Sequence, residues 1–499
     1  MSAAIPSDTS SSRLKFRKGR WIDGWDPENT DQWEREGSKI AKRNLGFSIY
    51  AEFLGFVVWS LWAVVAVQLQ QTPLKDAAGK VIAGQFGPGP YGFAFTSSQV
   101  FWLIAAPSFV GATLRFPYTF MISKLGGRNW TIVSAALLLI PTIALPIAIS
   151  NHPVNGVGGT SYGTMMFVAA LAGFGGGNFA SSMANITFFY PQREKGWALG
   201  LNAAGGNIGA SVAQFSVPIL ISVTAGVVTG IGKPGATIKN LPIAGWFWIP
   251  FIVVAMICAF LFMNNLSSAK ADMSAYGAAF KDPQLWIMSL LYIGTFGSFI
   301  GLTGVFPKLI NDTFPGYSTP IHIGSALVAL SFLGPLVGSL SRPYGGKAAD
   351  KFGGSYITVI AFLTMAVGTG AVIFSLNADK PNFWVFLMFF LVIFVAAGVG
   401  NGSMYRMIPT VFAYLAGQKD AQTKAADLAT VRKTSAALGI VSAFGAYGGF
   451  LMPFLFNLSN DHFHDYIHVL WWLMGGYIVF LIITVVAYVV PFARRGTRV

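Results

Sequence analysis

Charged residues are scarce in this sequence: Asp, Glu, Lys and Arg make up 10% of its 499 residues, whereas 54% are hydrophobic. A soluble domain normally carries about 25% charged residues, so the composition excludes a soluble enzyme. The single cysteine, Cys258, excludes an intramolecular disulfide. Apolar runs of about 20 residues or more recur along the chain, each long enough to cross a hydrocarbon core. The composition predicts an all-α membrane protein.

Acidic residues are almost absent from these apolar runs. Of the 19 Asp and Glu residues, only Glu52 falls inside a predicted helix. Carboxyl groups inside membranes often carry protons, so Glu52 is the candidate for proton coupling. The alternative is a glutamate packed in the bundle or lying at the membrane interface.

The apolar runs predict twelve transmembrane helices in two groups of six. The first group lies at about 47–70, 98–123, 130–150, 162–190, 196–223 and 243–264. The second lies at about 283–311, 320–346, 355–376, 383–413, 431–457 and 467–490. The chain thus divides into a polar tail (1–46), an N-terminal half (47–264), a linker (265–282), a C-terminal half (283–490) and a basic C-terminus (491–499).

The net charge of +14 is distributed unevenly. Most Lys and Arg residues lie in the N-terminal tail or in segments on the same predicted side, near Arg128, Lys195, Lys270, Lys351, Lys424 and Arg495. Cytoplasmic segments carry this excess in multi-pass proteins. We therefore expect both termini in the cytoplasm, a bacterial inner-membrane location, and a lipid bilayer rather than nucleic acid as the partner of the basic residues.

Two arginines occupy equivalent places in an internal repeat. Arg115 lies in Leu-Arg-Phe-Pro-Tyr and Arg342 in Ser-Arg-Pro-Tyr, and each precedes a Gly-Gly pair by 11 residues. That distance is about 16 Å along a helix, which places both near mid-membrane. A buried arginine there costs roughly 2.5–3.5 kcal/mol on insertion scales. We interpret the pair as an anion clamp; the alternative is a side chain that snorkels or binds carbonyl groups.

The repeat extends beyond the arginines. The glycine-rich run 173–177 is echoed at 398–402, and Ala-Leu-Gly at 198–200 is echoed at 437–439. Two six-helix halves in parallel repeat are the layout of the major facilitator fold, whose substrate site lies between the halves.

Small residues dominate the fifth and eleventh predicted helices. Their glycines are Gly200, Gly205, Gly206, Gly209, Gly439, Gly445, Gly448 and Gly449. Ordinary close helix packing explains such runs, but they also allow helices to slide and to bring backbone near a small ligand. Asn207 lies within the first run and could donate its amide to an anion. The segment Asp350–Gly354 resembles the inter-helix loop signature of the major facilitator superfamily, which implies a gating role for Asp350, whereas the first copy has Ser123.

These motifs, together with Asn-Phe-Ala-Ser-Ser-Met at 178–183 and Thr-Phe-Gly-Ser-Phe-Ile-Gly at 295–301, resemble the nitrate/nitrite porters of the major facilitator superfamily. The resemblance spans nearly the whole chain. It implies that Arg115 and Arg342 bind nitrate or nitrite and that Asn207 contributes an amide. It also implies that aromatic walls enclose the anion, at Phe56, Phe179, Tyr292 and Phe296. Glu52 and Arg406 depart from the family pattern, where we would expect apolar and neutral residues.

The expected function is nitrate import in exchange for nitrite by alternating access. It needs no covalent chemistry, so we expect no enzyme activity, metal or cofactor, and a monomer. Three alternatives stay open: nitrate uptake coupled to protons, transport of a different anion, and a nitrate receptor that signals through its basic tail.

Overall fold

The computed structural model describes residues 14–76, 80–153, 158–224, 240–269, 273–415, 428–494 and 499. Lys270, Lys424 and Arg495, which helped to predict the topology, lie outside these residues. So do parts of the predicted tail, linker and C-terminus.

Helices occupy all twelve predicted positions. In the N-terminal half they are α1 (Thr30–Gln68), α2 (Ser97–Leu125), α3 (Gly127–Ser150), α4 (Tyr162–Leu171 and Gly173–Phe189), α5 (Gln192–Val223) and α6 (Ile243–Phe262). In the C-terminal half they are α7 (Pro283–Thr313), α8 (Leu333–Phe352), α9 (Gly354–Leu376), α10 (Phe383–Leu415), α11 (Leu428–Ala446 and Gly448–Phe463) and α12 (Ile467–Ala493). A short helix, Met273–Phe280, lies in the linker.

Within the described residues, ten of these helices are long and apolar enough to cross a membrane. The other two are α4, which is interrupted at Ala172, and α8, which is 20 residues long and carries Arg342. Both have residues that the family resemblance places at the anion site. The break at Ala172 leaves two segments of 10 and 17 residues in α4, whereas α8 has the length but carries charged residues such as Arg342 and Lys347.

The predicted helix at 320–346 begins too early. Residues Ile321–Ile323 (β6) and Ala326–Val328 (β7) form an antiparallel hairpin instead. Its turn contains Gly324 with φ of +61°, a left-handed conformation that glycine adopts without steric cost. Regular helix begins only at Leu333. A second hairpin, Thr72–Lys75 (β3) with Val81–Gly87 (β4), lies in the long connection between α1 and α2.

The first helix also begins earlier than predicted, because the N-terminal tail packs against the helices. Lys15–Arg17 (β1) pairs with Trp21–Asp23 (β2), which pairs in parallel with Asn265–Leu266 (β5) in the predicted linker. The buried indoles of Trp25 and Trp33 donate to the Phe188 carbonyl and the Glu194 carboxylate, both at 3.1 Å. The described part of the tail is therefore a folded cap on α4, α5 and the linker.

The two halves meet along three helix pairs, α1 with α7, α2 with α11 and α5 with α8. Hydrogen bonds between the two halves are found, among the described residues, only on one side of the level of Arg115. They extend from Arg115 to the end of the molecule where α1 ends and α2 begins. The opposite ends of α5 and α8 expose Trp197 and Tyr344. The halves are therefore joined at one end of their interface.

Candidate functional site

Arg115 lies on α2 and is completely buried between the two halves. Its Nη1 donates to the Ser442 carbonyl at 2.9 Å and to the Ser442 hydroxyl at 2.8 Å, on α11 of the opposite half. Its Nε donates to the Gly176 carbonyl on α4 at 3.2 Å. Nη2 has no hydrogen-bond partner among the residues that the structure describes. Two nitrogens of the guanidinium are thus held by protein groups, while the third, Nη2, is available to donate to a ligand.

Arg342 lies on α8 and is 3% exposed. Its Nη2 donates to the Tyr292 hydroxyl at a long 3.4 Å, and its Nη1 has no partner in the described part of the chain. Its guanidinium carbon lies 4.9 Å from the centroid of the Tyr405 ring. Arg342 is therefore held less tightly by protein groups than Arg115 is.

Two aromatic rings are shared by both arginines. The Phe179 centroid lies 4.5 Å from the guanidinium carbon of Arg115 and 5.6 Å from that of Arg342. The Phe296 centroid lies 5.0 Å and 6.0 Å from the same two atoms. Phe179 and Phe296 belong to opposite halves and stack with centroids 5.8 Å apart. We call Arg115, Arg342, Phe179 and Phe296 the clamp.

The other two predicted aromatic residues complete its wall. Phe56 packs edge-on against Phe179, with centroids 6.1 Å apart, and Tyr292 stacks on Phe296 at 5.3 Å. All four predicted aromatic side chains are fully buried. Residues that are far apart in sequence thus form one buried aromatic enclosure around two guanidinium groups.

The clamp has the chemistry of an anion site. Buried polar groups in proteins are nearly always hydrogen-bonded, yet each guanidinium keeps a donor without a partner. A guanidinium fork matches two oxygens of a planar oxyanion. Aromatic faces stabilise the cations and exclude water. A small anion accepting from both arginines would satisfy the two open donors.

Asn207 lies on α5 and is buried, and no described residue forms a hydrogen bond with either polar atom of its amide. It is flanked by the close contact of α5 with α1, where Cβ atoms at Gly206 and Gly209 would overlap Glu52 and the Phe53 carbonyl. The structure thus gives Asn207 an unpaired amide, as an anion ligand needs, but no contact with either arginine.

The predicted glycines fall into two groups. Six lie where a Cβ atom would overlap a neighbouring helix: Gly205, Gly206, Gly209, Gly445, Gly448 and Gly449. Gly448 meets the backbone of Gly297 on α7, and Gly445 meets the Tyr292 ring. Gly200 has open space and Gly439 only ordinary contacts. Close packing therefore requires glycine at the first six positions and not at these last two.

This contrast gives a stability prediction. Gly209→Ala should lower the free energy of unfolding by about 1–3 kcal/mol, because the new methyl group must displace α1. Gly200→Ala should leave it unchanged or raise it by a few tenths of a kcal/mol, since nothing lies in the way. Thermal unfolding in detergent, monitored by gel filtration, measures the stability of both variants. Equal unfolding temperatures for the two variants would contradict the packing argument.

Glu52 is 1% exposed and lies one helical turn from Phe56 on α1. Its Oε2 accepts from the Asn202 amide at 2.7 Å, and the same amide donates to the Ser182 hydroxyl at 2.6 Å. Its Oε1 has no partner. Glu52 is close enough to Arg115 and Arg342 to interact with them electrostatically. These contacts are compatible with both interpretations of Glu52, a glutamate packed in the bundle and a proton-coupling group beside the clamp.

Asp350 does not reach the clamp. It forms an ion pair with Arg406, which links the partly exposed ends of α8 and α10 within one half. Arg406, which departs from the family pattern, therefore has a carboxylate partner within its own half.

Three residues at the site were missed by sequence reasoning. Tyr405 stacks on Arg342, Ser442 accepts from Arg115, and the Trp59 ring lies 5.9 Å from the Arg115 guanidinium carbon. Trp59 lies three residues from Phe56 on α1, nearly on the same helix face, which was the available signal. Ser442 gave no signal, because its contact joins different halves.

Comparison with known proteins agrees with this architecture. Residues 49–423 match the Major Facilitator Superfamily. The nitrate/nitrite transporter NarU of Escherichia coli (strain K12) is 38% identical over 443 residues, covering 87% of this chain and 89% of the relative. The probable nitrate/nitrite antiporter NarK2 of Thermus thermophilus is 31% identical, with 89% and 90% covered.

Solved structures show the same fold. The xylose transporter XylE from E. coli, in a partially occluded inward open conformation, superimposes with a TM-score of 0.58 at 15% identity, covering 89% of this chain and 98% of that chain. The chain therefore belongs to the major facilitator superfamily and, within it, to the family of bacterial nitrate/nitrite transporters.

Proposed function

We propose that this protein transports nitrate and nitrite, importing nitrate in exchange for nitrite by rocker-switch alternating access. The observation that carries the proposal is the clamp: two buried guanidinium groups from opposite halves share two aromatic rings, and each has an open donor. The relatives named as nitrate/nitrite transporters support the choice of anion.

Planar oxyanions fit this site better than tetrahedral ones. Two forks approaching one anion between stacked rings favour a flat ligand whose oxygens lie in one plane. The enclosure is buried and largely aromatic, so a divalent anion would lose more hydration energy on entering than a monovalent one. Nitrate and nitrite have the size, charge and planarity that the clamp accommodates.

The charge of the clamp favours exchange. An anion-free site holds two guanidinium charges in a low-dielectric enclosure, a costly arrangement to carry through an occluded state. Nitrate and nitrite each neutralise one charge equally. A carrier that reorients only when loaded exchanges one anion for the other.

The second candidate is nitrate–proton symport, which the burial of Glu52 near the arginines favours. Two guanidinium groups with nitrate and a protonated Glu52 carry one net positive charge. The same groups without anion and with an ionised Glu52 carry the same charge. Both forms could then reorient with similar electrostatic cost.

Glu52→Gln separates these candidates. Glutamine keeps the size of the side chain and an oxygen that can accept from Asn202. Under exchange, we expect nitrite-driven nitrate uptake within about twofold of the unmodified protein, because the buried hydrogen bond is retained. Under symport, uptake driven by a proton gradient should disappear. Loss of nitrite-driven exchange in a well-folded variant would make Glu52 part of the exchange machinery.

The proposal assigns the remaining parts as follows. The halves 47–264 and 283–490 move against each other around the clamp, joined by the linker 265–282. Both termini lie in the cytoplasm of a bacterium, and the chain acts as a monomer in the inner membrane, without enzyme activity. Asn207 binds the anion, the close-packed glycines permit helix movement, and Asp350 with Arg406 holds the cytoplasmic ends of α8 and α10 together.

Competition uptake tests the choice of substrate. Purified protein in liposomes should accumulate labelled nitrate, and excess unlabelled nitrite should suppress that uptake. Formate and chlorate test whether planarity or single charge decides recognition, and phosphate should not compete. No nitrate uptake, or suppression by phosphate as strong as that by nitrite, would contradict the proposed substrate.

A further inference from the structure

A completely buried lysine, Lys308, lies near the end of α7, 12 residues beyond Phe296 of the clamp on the same helix. The ammonium of Lys308 donates to the Asp312 carboxylate at 2.7 Å and to the Gln70 side-chain oxygen at 2.8 Å. It lies 4.7 Å from the centroid of the Phe101 ring. The Tyr466 hydroxyl donates to Asp312 at 2.5 Å. Asp312, an acid just past the predicted end of this helix, thus binds both Lys308 and Tyr466.

These partners come from both halves. Gln70 follows α1 and Phe101 lies in the first turns of α2, whereas Lys308, Asp312 and Tyr466 belong to the C-terminal half. The same end has a second contact between α2 and α11, where Ser98 donates to Asp461 at 3.2 Å. The proposed topology places this end outside the cell.

Movement of the two halves against each other affects the two hydrogen bonds of Lys308 differently. Asp312 is one turn away on the same helix, so that ion pair moves as a unit with the C-terminal half. The bond to Gln70 crosses between the halves and must break when this end opens. Because the ion pair persists, opening leaves no uncompensated buried charge, which would otherwise cost several kcal/mol. The Lys308–Gln70 hydrogen bond can therefore break and re-form at low electrostatic cost.

We propose that Lys308 and Gln70 form the latch of the external gate, and that their hydrogen bond sets how often the protein opens to the outside. This inference rests on the alternating-access part of the proposed function and is independent of which anion is carried. A charge-assisted hydrogen bond is about twice as strong as a neutral one, so its loss should shift the balance between inward- and outward-facing states measurably.

Thiol labelling tests the latch without any transport assay. Cys258→Ser removes the native thiol, and Ser60→Cys places a reporter on α1 in a small cavity between the clamp and the gate, lined also by Ser108 and Thr303. A membrane-impermeant thiol reagent is added from outside. With Gln70→Leu, which cannot accept a hydrogen bond, the labelling rate should rise about tenfold.

Two further variants test whether the effect of Gln70→Leu comes from loss of the hydrogen bond to Lys308. Gln68→Leu is the matched control, since Gln68 lies two residues away and makes no hydrogen bond to the described residues of the other half. Its labelling rate should equal that of the parent. Gln70→Glu replaces the latch bond with an ion pair to Lys308 and should slow labelling below the parent rate. Equal rates for the parent, Gln70→Leu and Gln70→Glu would overturn the latch. Because labelling needs no nitrate, failure of the nitrate proposal would leave this result unaffected.

Discussion

Arg115→Lys and Arg342→Lys should each reduce nitrate transport about 100-fold or more while the protein still folds and inserts. Lysine keeps the positive charge but replaces a planar fork with a single point of donation. It therefore cannot hold two oxygens of one anion, and each lost charge-assisted hydrogen bond costs about 1.5–3 kcal/mol. Labelled-nitrate uptake, normalised to protein that elutes as a single species in gel filtration, measures the effect.

The two arginines should also differ. Arg115 is bonded to Ser442 and Gly176, so its replacement also removes a contact between the halves. Arg342 has only a long bond to Tyr292, and its replacement should affect anion binding with less effect on thermal stability. Arg406→Lys is the matched control, because it keeps a cation beside Asp350 away from the clamp. Wild-type transport by either clamp variant would contradict bidentate binding.

Phe179→Leu should lower nitrate transport about tenfold or more. The Phe179 ring faces both guanidinium groups, and a cation–π contact contributes about 0.5–2 kcal/mol depending on desolvation. Leucine keeps an apolar side chain, so packing is largely preserved, but the aromatic ring that contacts both guanidinium groups is lost. Nitrate affinity from titration calorimetry and initial uptake rates should fall together.

Phe167→Leu provides the control for this substitution. Phe167 lies on the same helix, but it is 65% exposed at the outer surface of the bundle. Its replacement should leave affinity and rate unchanged. If Phe179→Leu bound and carried nitrate like the parent, the shared ring would have no part in anion recognition.

The sequence was sufficient to predict the arginines of the clamp because they follow a local rule. A charged residue within an apolar run is easily recognised, and the repeated sequence around Arg115 and Arg342 indicates that both have a function. The four aromatic residues came from the family resemblance, and the structure brings all of them to the arginines. Their roles in binding stay predictions.

Other features depend on contacts that no local pattern reveals. Ser442 is one serine among many in apolar helices, and only the approach of α11 to α2 makes it a partner of Arg115. Lys308 and Asp312 lay near a predicted helix end, where charges are ordinary; the packing of α1 and α2 over them makes the pair unusual. Hydropathy alone also extended the eighth helix across β6 and β7, since a short apolar hairpin and a helix end have similar composition.

Nitrate uptake into liposomes at a clamped membrane potential tests the exchange mechanism most directly. Three preparations are compared: liposomes loaded with nitrite, empty liposomes, and empty liposomes with an inward proton gradient. The paired-arginine account predicts rapid uptake only into nitrite-loaded liposomes, because the anion-free carrier reorients poorly. Uptake into empty liposomes driven by the proton gradient alone would contradict obligatory exchange and assign the coupling to protons.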